Sequence, residues 1–119
     1  MITEDYVSFE VAKLLKENGF DEDCYTFYEY DNKEFYREER IPCCNSRSDD
    51  YAAPTHQMAM KWLRNKGIYI QIRRNFFSYL YEAAMVKDGY DTCVTIPSEL
   101  ETYEEAVEAA LKYSLENLI

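Results

Sequence analysis

The sequence predicts one α+β domain over residues 1–119, with the order helix, hairpin, helix, hairpin, helix and an antiparallel sheet that the helices cover mainly on one face. Three segments carry apolar residues at helical spacing, and the segments between them alternate apolar and polar residues with the period of a strand. With 119 residues and 47% hydrophobic composition, the chain can bury a core without disulfides, even at a net charge of −10.

The first half of the chain is predicted to fold as a helix, a hairpin and a long loop. The helix begins near Ser8, whose hydroxyl suits an N-cap, and Gly19 ends it. Aromatic and β-branched residues at 24–30 and 34–36 predict the two strands of the hairpin. Residues 37–53 are rich in turn formers and are predicted to be the longest irregular segment.

The middle of the chain is predicted to hold a second helix and a second hairpin. The helix opens at Pro54 or Thr55, and Gly67 ends it. Isoleucine at every second position of 68–72 predicts a strand with one buried face. We expect the return strand at 77–83.

The end of the chain is predicted to add an edge strand and a third helix. The strand covers 92–96, before Pro97. Thr102 and Glu105 form a capping box that starts the helix. Ser114 is the small polar residue in the apolar stripe of this helix, and we expect its hydroxyl to bond to the preceding turn.

Residues 13–20 and 61–68 match as helix end, glycine stop and entry into a strand. This match indicates either a duplicated αββ unit or two uses of the same capping chemistry. Because the match is short, common capping chemistry is the favoured interpretation.

No known catalytic, cofactor or metal motif is present in the sequence. The three glycines fall at helix ends and turns, so no phosphate-binding loop is indicated. Cys43 and Cys44 are adjacent and the single histidine is His56, which is not the spacing of a zinc site. A nucleophile pair of His56 with either cysteine would need a contact that the sequence does not indicate. We therefore expect a non-enzymatic protein without catalytic, cofactor-binding or metal-ligating residues.

The setting is predicted to be cytoplasmic and reducing, with all four cysteines as free thiols. Residues 1–9 include Glu4 and Asp5 and show no export signal. The longest apolar run, 83–86, is far shorter than the ~20 residues that cross a bilayer, so we expect no membrane insertion.

Charge is distributed unevenly along the chain. Residues 1–50 carry a net −8 and residues 82–119 a net −7, whereas residues 51–81 contain no acidic side chain and carry a net +5. This middle segment combines basic and aromatic residues and supplies the candidate interaction residues: Lys61, Arg64, Tyr69, Arg73, Arg74, Tyr79 and Tyr81. Basic residues between acidic ends also fit charge complementarity within the fold.

Three stretches resemble a group of small uncharacterised proteins from phages and mobile elements of gut bacteria: residues 8–20 (SFEVAKLLKENGF), residues 53–64 (APTHQMAMKWLR), and the last helix from TYEEA at 102–106 through ENLI at 116–119. Together they cover about a third of the chain. The resemblance implies a bacterial or phage cytoplasmic setting, and it implies no activity, cofactor or partner.

The function we expect is that of a protein–protein interaction module. Twelve tyrosines, several of them on predicted strands, suit a contact surface for another protein or for a second copy in a homodimer. One alternative is an acidic inhibitor that mimics nucleic acid. Another is single-stranded nucleic-acid binding through residues 51–81, which the negative net charge disfavours. A small enzyme with an unfamiliar site is the weakest alternative.

Overall fold

A computed structural model describes residues 2–119 and shows an α+β architecture, with three helices and two three-stranded antiparallel sheets in this part of the chain. The elements in chain order are α1 (Phe9–Glu17), β1 (Thr26–Tyr28), β2 (Phe35–Arg37), β3 (Tyr51–Ala52), α2 (His56–Arg64), β4 (Ile68–Arg74), β5 (Tyr81–Lys87), β6 (Cys93–Leu100) and α3 (Tyr103–Asn117). The chain divides into two compact units between Met58 and Ala59. Unit 1 holds β1 to β3 and unit 2 holds β4 to β6, whereas the sequence predicted one sheet. That residues 1–119 form a single domain stays a prediction.

The first helix has the ends that the sequence predicted. The Ser8 hydroxyl accepts a hydrogen bond from the Val11 N–H at 3.2 Å, and Gly19 follows the last turn with φ of +90°. The Phe20 N–H donates to the Leu15 carbonyl at 2.9 Å, and the Phe20 side chain is fully buried. The N-cap and the glycine stop are therefore confirmed.

In unit 1 the first strand lies in the centre of the sheet, in the order β2-β1-β3. The predicted hairpin is confirmed as β1 and β2, with Lys33 at φ of +58° in the turn. The predicted 37–53 loop is partly wrong, because Arg37 belongs to β2 and residues 51–52 form β3. A two-residue strand has no period of its own and depends on a partner that is distant in sequence.

The remaining loop is held by a buried amide. The Asn45 side chain donates to the Phe20 carbonyl at 2.8 Å and accepts from the Ala52 N–H at 2.9 Å. Nearby, Cys24 and Cys43 exchange two backbone hydrogen bonds, at 2.9 and 2.6 Å. The loop is thereby tied at several points to the end of α1 and to the sheet.

The second helix starts where the sequence predicted. The Thr55 hydroxyl accepts from the Met58 N–H at 3.2 Å, as an N-cap does, and α2 then runs to Arg64. Gly67 follows with φ of +81°.

Unit 2 is a sheet in the order β4-β5-β6 with α3 packed on one face. Ile68 is buried and the next two isoleucines of β4 are partly buried, while the residues between them are exposed, so the alternation is confirmed. The buried cluster comprises Ala83 and Met85 of β5 and Ala110 of α3, with partly buried apolar side chains around it. The opposite face carries Tyr69 and other exposed side chains.

The predicted return strand at 77–83 is confirmed only at residues 81–83 and is wrong at residues 77–80, since β5 is Tyr81–Lys87. The Asn75 side chain accepts from the N–H groups of Phe77 and Ser78 at 2.9 and 3.0 Å, which makes residues 75–80 a turn. Side-chain capping of a turn thus overrides the apolar pattern of Phe77 and its neighbours.

The predicted edge strand is longer than expected and passes through Pro97 to Leu100. Ile96 lies opposite Ala83 and Leu100 opposite Tyr81, so three residues of β6 face one residue of β5. Proline is tolerated there because β6 is at the edge and its pairing is irregular at that point.

In the last helix the predicted cap is confirmed, but the predicted hydrogen bond of Ser114 is not. The Thr102 hydroxyl accepts from the Glu105 N–H at 3.0 Å, and a Glu105 carboxylate oxygen accepts from the Glu101 N–H at 3.3 Å. Ser114 is fully buried, and its hydroxyl has no hydrogen-bond partner among residues 2–119. The expected bond to the preceding turn is therefore wrong. No helix in the described part of the chain is both long and apolar enough to cross a membrane.

Candidate interaction surface

The most exposed aromatic side chains of unit 2 lie in the turn between β4 and β5, which we call the aromatic tip (residues 74–81). Phe76 is 83% exposed and Phe77 is 88% exposed, and their rings meet edge to face with centroids 5.5 Å apart. Tyr79 is exposed beside them. Large aromatic groups are usually covered in proteins, so two neighbouring exposed phenyl rings are an unusual feature.

The tip is an ordered turn. Besides its two side-chain bonds, Asn75 donates its N–H to the Leu80 carbonyl at 2.6 Å and accepts at its own carbonyl from the Tyr79 N–H at 3.0 Å. The Ser78 hydroxyl accepts from the Leu80 N–H at 3.3 Å. Tyr79 has a positive φ of +60°, which is uncommon for a side chain of this size. These bonds fix the backbone that presents both phenyl rings.

Arg74 links the tip to the sheet. Its guanidinium lies 5.1 Å from the ring centre of Tyr79 and 5.9 Å from that of Tyr81, and its Nε donates to the Tyr79 carbonyl at 3.2 Å. Tyr81 in turn meets Tyr103 of α3 edge to face at 6.2 Å. The cation is thus held against two aromatic faces, as cation–π pairs are.

The structure separates the residues that the sequence grouped as one candidate surface. Arg74, Tyr79 and Tyr81 meet at the tip, whereas Tyr69 and Arg73 lie on the opposite, open face of the sheet. Arg73 forms an ion pair with Glu82 at 3.0 Å. The ion-pair partner of Arg73 therefore lies on the neighbouring strand β5 and not on the acidic last helix.

The remaining two candidates, Lys61 and Arg64, are exposed on α2. Within residues 2–119 no hydrogen bond or ion pair joins either side chain to the aromatic tip. Phe77 was missed as a surface residue because its sequence context resembles a strand. The signal that could have found it is Asn75 followed three positions later by Ser78, two turn-forming residues that flank the phenylalanines.

Unit 1 contains a second feature, three buried cysteines. Burial chiefly raises the pKa of the Cys24 thiol to about 12, and nearby Cys43 adds to this; burial also raises the pKa of Cys43. Thiols of raised pKa stay protonated at neutral pH, and nucleophilic cysteines are thiolates. Burial therefore favours the neutral thiol form of both residues.

Cys44, the third buried cysteine, contacts a carboxylate. Its Sγ donates to Asp21 Oδ1 at 2.9 Å, and the Ser46 N–H donates to the same oxygen at 2.8 Å. These bonds, with Cys44 the larger cause, lower the pKa of Asp21. The arrangement favours the ionised form of Asp21 and ties the middle of the loop to the segment that follows α1.

A surface cavity of about 520 Å³ lies beside Cys43 and Cys44. Its wall mixes the charged residues Glu38, Arg47 and Asp50 with apolar side chains. These charges have both signs and do not indicate one class of ligand. In the described part of the chain, no group of three or more His, Cys, Asp or Glu side chains is arranged to hold a metal ion.

Comparison with known proteins assigns the chain to no family: no protein-family model, curated protein or solved structure matches it.

Proposed function

We propose that this protein is a binding module that recognises another protein through the aromatic tip. The observation that carries the proposal is the exposure of Phe76 and Phe77, at 83% and 88%. Covering one phenyl ring contributes roughly 1.5–3 kcal/mol, so a partner that covers both has a large source of affinity. Aromatic and arginine side chains also dominate the energetic centres of protein interfaces.

The order of the turn supports the same proposal. Because Asn75 and Ser78 already fix the backbone, a partner would not have to order this loop on binding. Arg74 and Tyr79 stand beside the phenyl rings and can supply polar contacts at the rim. A rigid apolar centre with polar neighbours is the usual anatomy of a binding site for protein.

The proposal can be tested with a photo-crosslinking amino acid at position 77, introduced into the full chain in its native cells. We expect crosslinks to one or a few specific proteins, and we expect Phe76→Ser to reduce them strongly. The matched control is the same probe at position 90, because Tyr90 is also an exposed aromatic residue of a unit 2 turn. Equal crosslinking at both positions, or no protein adduct at position 77, would contradict the proposal.

Single-stranded nucleic acid is the second candidate ligand of the same tip. The observation that favours it is that Arg74 lies beside exposed aromatic rings. Many proteins bind single strands by stacking bases on aromatic rings while basic side chains contact the phosphates. The net charge of −10 opposes it at long range. Fluorescence anisotropy with single-stranded probes tests it: binding should weaken with salt and be lost in Arg73→Glu/Arg74→Glu, while Lys87→Glu serves as the control.

The acidic-inhibitor alternative depends on the clustered acidic side chains of the first fifty residues and of the last helix. Residues 1–58 hold fourteen acidic and six basic side chains, a net −8. If this surface imitates nucleic acid, it should bind basic nucleic-acid-binding proteins with strong salt dependence, and substitutions in the tip should leave that binding unchanged. The resemblance to phage and mobile-element proteins stays a prediction, and the genes next to this one would test it.

A further inference from the structure

The two edge strands of unit 2 differ in how they are protected. β6 is interrupted by Pro97 and by the register shift beside it, and both features hinder pairing with another strand. β4 is seven residues long, contains no proline, and pairs with β5 in one continuous register. Long regular edges without proline or a bulge are the ones that pair with another chain.

The hydrogen-bond pattern shows which groups of β4 point outward. The Asp88 N–H donates to the Gly67 carbonyl at 2.8 Å, and the Asn75 N–H donates to the Leu80 carbonyl at 2.6 Å. Gly67 and Asn75 flank β4, and in an antiparallel pair every second residue bonds to the same neighbour. The odd-numbered residues of β4 therefore bond to β5, while the N–H and carbonyl groups of Ile70 and Ile72 point away from β5.

The centre of β4, residues 69–73, is complementary to itself when a second copy runs antiparallel about a two-fold axis at Gln71. In that register Ile70 lies opposite Ile72 of the second copy, and their outward backbone groups exchange hydrogen bonds. The two isoleucines are on the face that α3 covers, so apolar meets apolar.

The open face is also complementary in this register. Tyr69, which is 45% exposed, lies opposite Arg73 of the second copy, which is exposed. The guanidinium then meets an aromatic ring, and no like charges face each other within the pairing. Gln71 faces its own copy on the axis, where two neutral amides can bond to each other.

We propose that two copies of this chain associate through β4, antiparallel and centred on Gln71, to form a continuous six-stranded sheet. Growth through unit 2 stops at two copies because β4 is its one regular edge and the other edge, β6, is closed by Pro97 and its register shift. The proposal is independent of the aromatic tip, and Phe76→Ser/Phe77→Ser should still dimerise.

Cysteine crosslinking tests the register directly. Non-hydrogen-bonded residues of an antiparallel pair have Cα atoms about 4.5 Å apart, which a disulfide can span. In a Cys93→Ser background, which removes the exposed native thiol, Gln71→Cys should form a disulfide-linked dimer with a mild oxidant such as diamide. The controls are Tyr69→Cys, displaced from the axis, and Thr95→Cys, on β6, and we expect crosslinking at least about tenfold slower for both.

Sedimentation of the unmodified chain supplies the second measurement. We expect a reversible monomer–dimer equilibrium, with Gln71→Lys raising the dimer Kd several-fold through two opposed ammonium groups, while Thr95→Lys leaves the Kd unchanged. A strict monomer at all concentrations overturns the proposal. A dimer in which Gln71→Cys crosslinks no faster than its controls also overturns it, because the copies would then meet through another surface.

Discussion

The aromatic cluster around Phe9 in unit 1 and the aromatic tip of unit 2 have opposite surroundings. In unit 1 the Phe9 ring meets Tyr28 and Tyr51 edge to face at 5.8 and 5.2 Å, and Tyr28 also meets Phe35 at 5.3 Å. In unit 2 Phe76 and Phe77 meet each other and are otherwise open to solvent. The number of aromatic residues in a sequence therefore does not identify a binding surface. What distinguishes the two cases is whether the backbone directs the rings toward other side chains or away from them.

The units also differ in charge. Residues 1–58 carry a net −8, whereas residues 59–119, with nine acidic and seven basic side chains, carry a net −2. Unit 2 is thus much closer to neutral, and an apolar contact there meets less electrostatic repulsion from an acidic partner.

The largest expected effect tests the contrast between a buried phenylalanine, Phe20 of unit 1, and an exposed one, Phe77 of unit 2. Phe20→Ala should lower the free energy of unfolding by about 3–5 kcal/mol, because Phe20 is fully buried and a cavity remains. Phe77→Ala should change it by less than about 0.5 kcal/mol. Urea denaturation of both variants measures the difference. Similar losses in the two variants would mean that the tip is part of a core.

A smaller effect concerns Ser114 and Ser98, two of the serines of unit 2. Ser114→Ala should raise the free energy of unfolding by about 1 kcal/mol, since it removes a buried hydroxyl without a partner. Its control is Ser98→Ala, which should lower stability, because the Ser98 hydroxyl donates to Glu82 Oε2 at 3.0 Å. Both are read from thermal or urea unfolding, and a loss of stability in Ser114→Ala would indicate that the hydroxyl has an internal partner.

The smallest expected effect is the acid sensitivity of unit 1. The hydrogen bonds from Cys44 and Ser46 lower the pKa of Asp21 below its ordinary value of 3.8. The stability that Asp21 contributes is therefore present above about pH 4 and is lost as the pH falls through the folded-state pKa. The unfolding midpoint, measured as a function of pH, should fall less steeply below about pH 4 in Asp21→Asn than in the unmodified protein. An unchanged pH dependence in this range would show that other carboxylates dominate it.

The sequence predicted those parts of the fold that depend on neighbouring residues. Ser8, Thr102 and Gly19 act within one turn of their own position, and the alternation of β4 repeats every second residue. Such local signals can be read without knowledge of the rest of the chain.

The parts that could not be predicted depend on partners far away in sequence. β3 exists only because residues 51–52 pair with β1, and the start of β5 depends on how the Asn75 side chain closes a turn. The grouping of the candidate site residues also depends on the fold and could not be predicted from their positions in the sequence. Arg73 and Arg74 are adjacent in sequence, but alternation in a strand places them on opposite faces of the sheet.

The strand order of the two sheets has a consequence for folding kinetics. In unit 1 the central strand is the first, so closing the sheet joins distant positions, as the Ala53 N–H does when it donates to the Thr26 carbonyl. In unit 2 each strand pairs with the next one along the chain through a short turn. Because long closures slow folding, unit 2 should reach its native pairing before unit 1, although the ribosome synthesises it after unit 1.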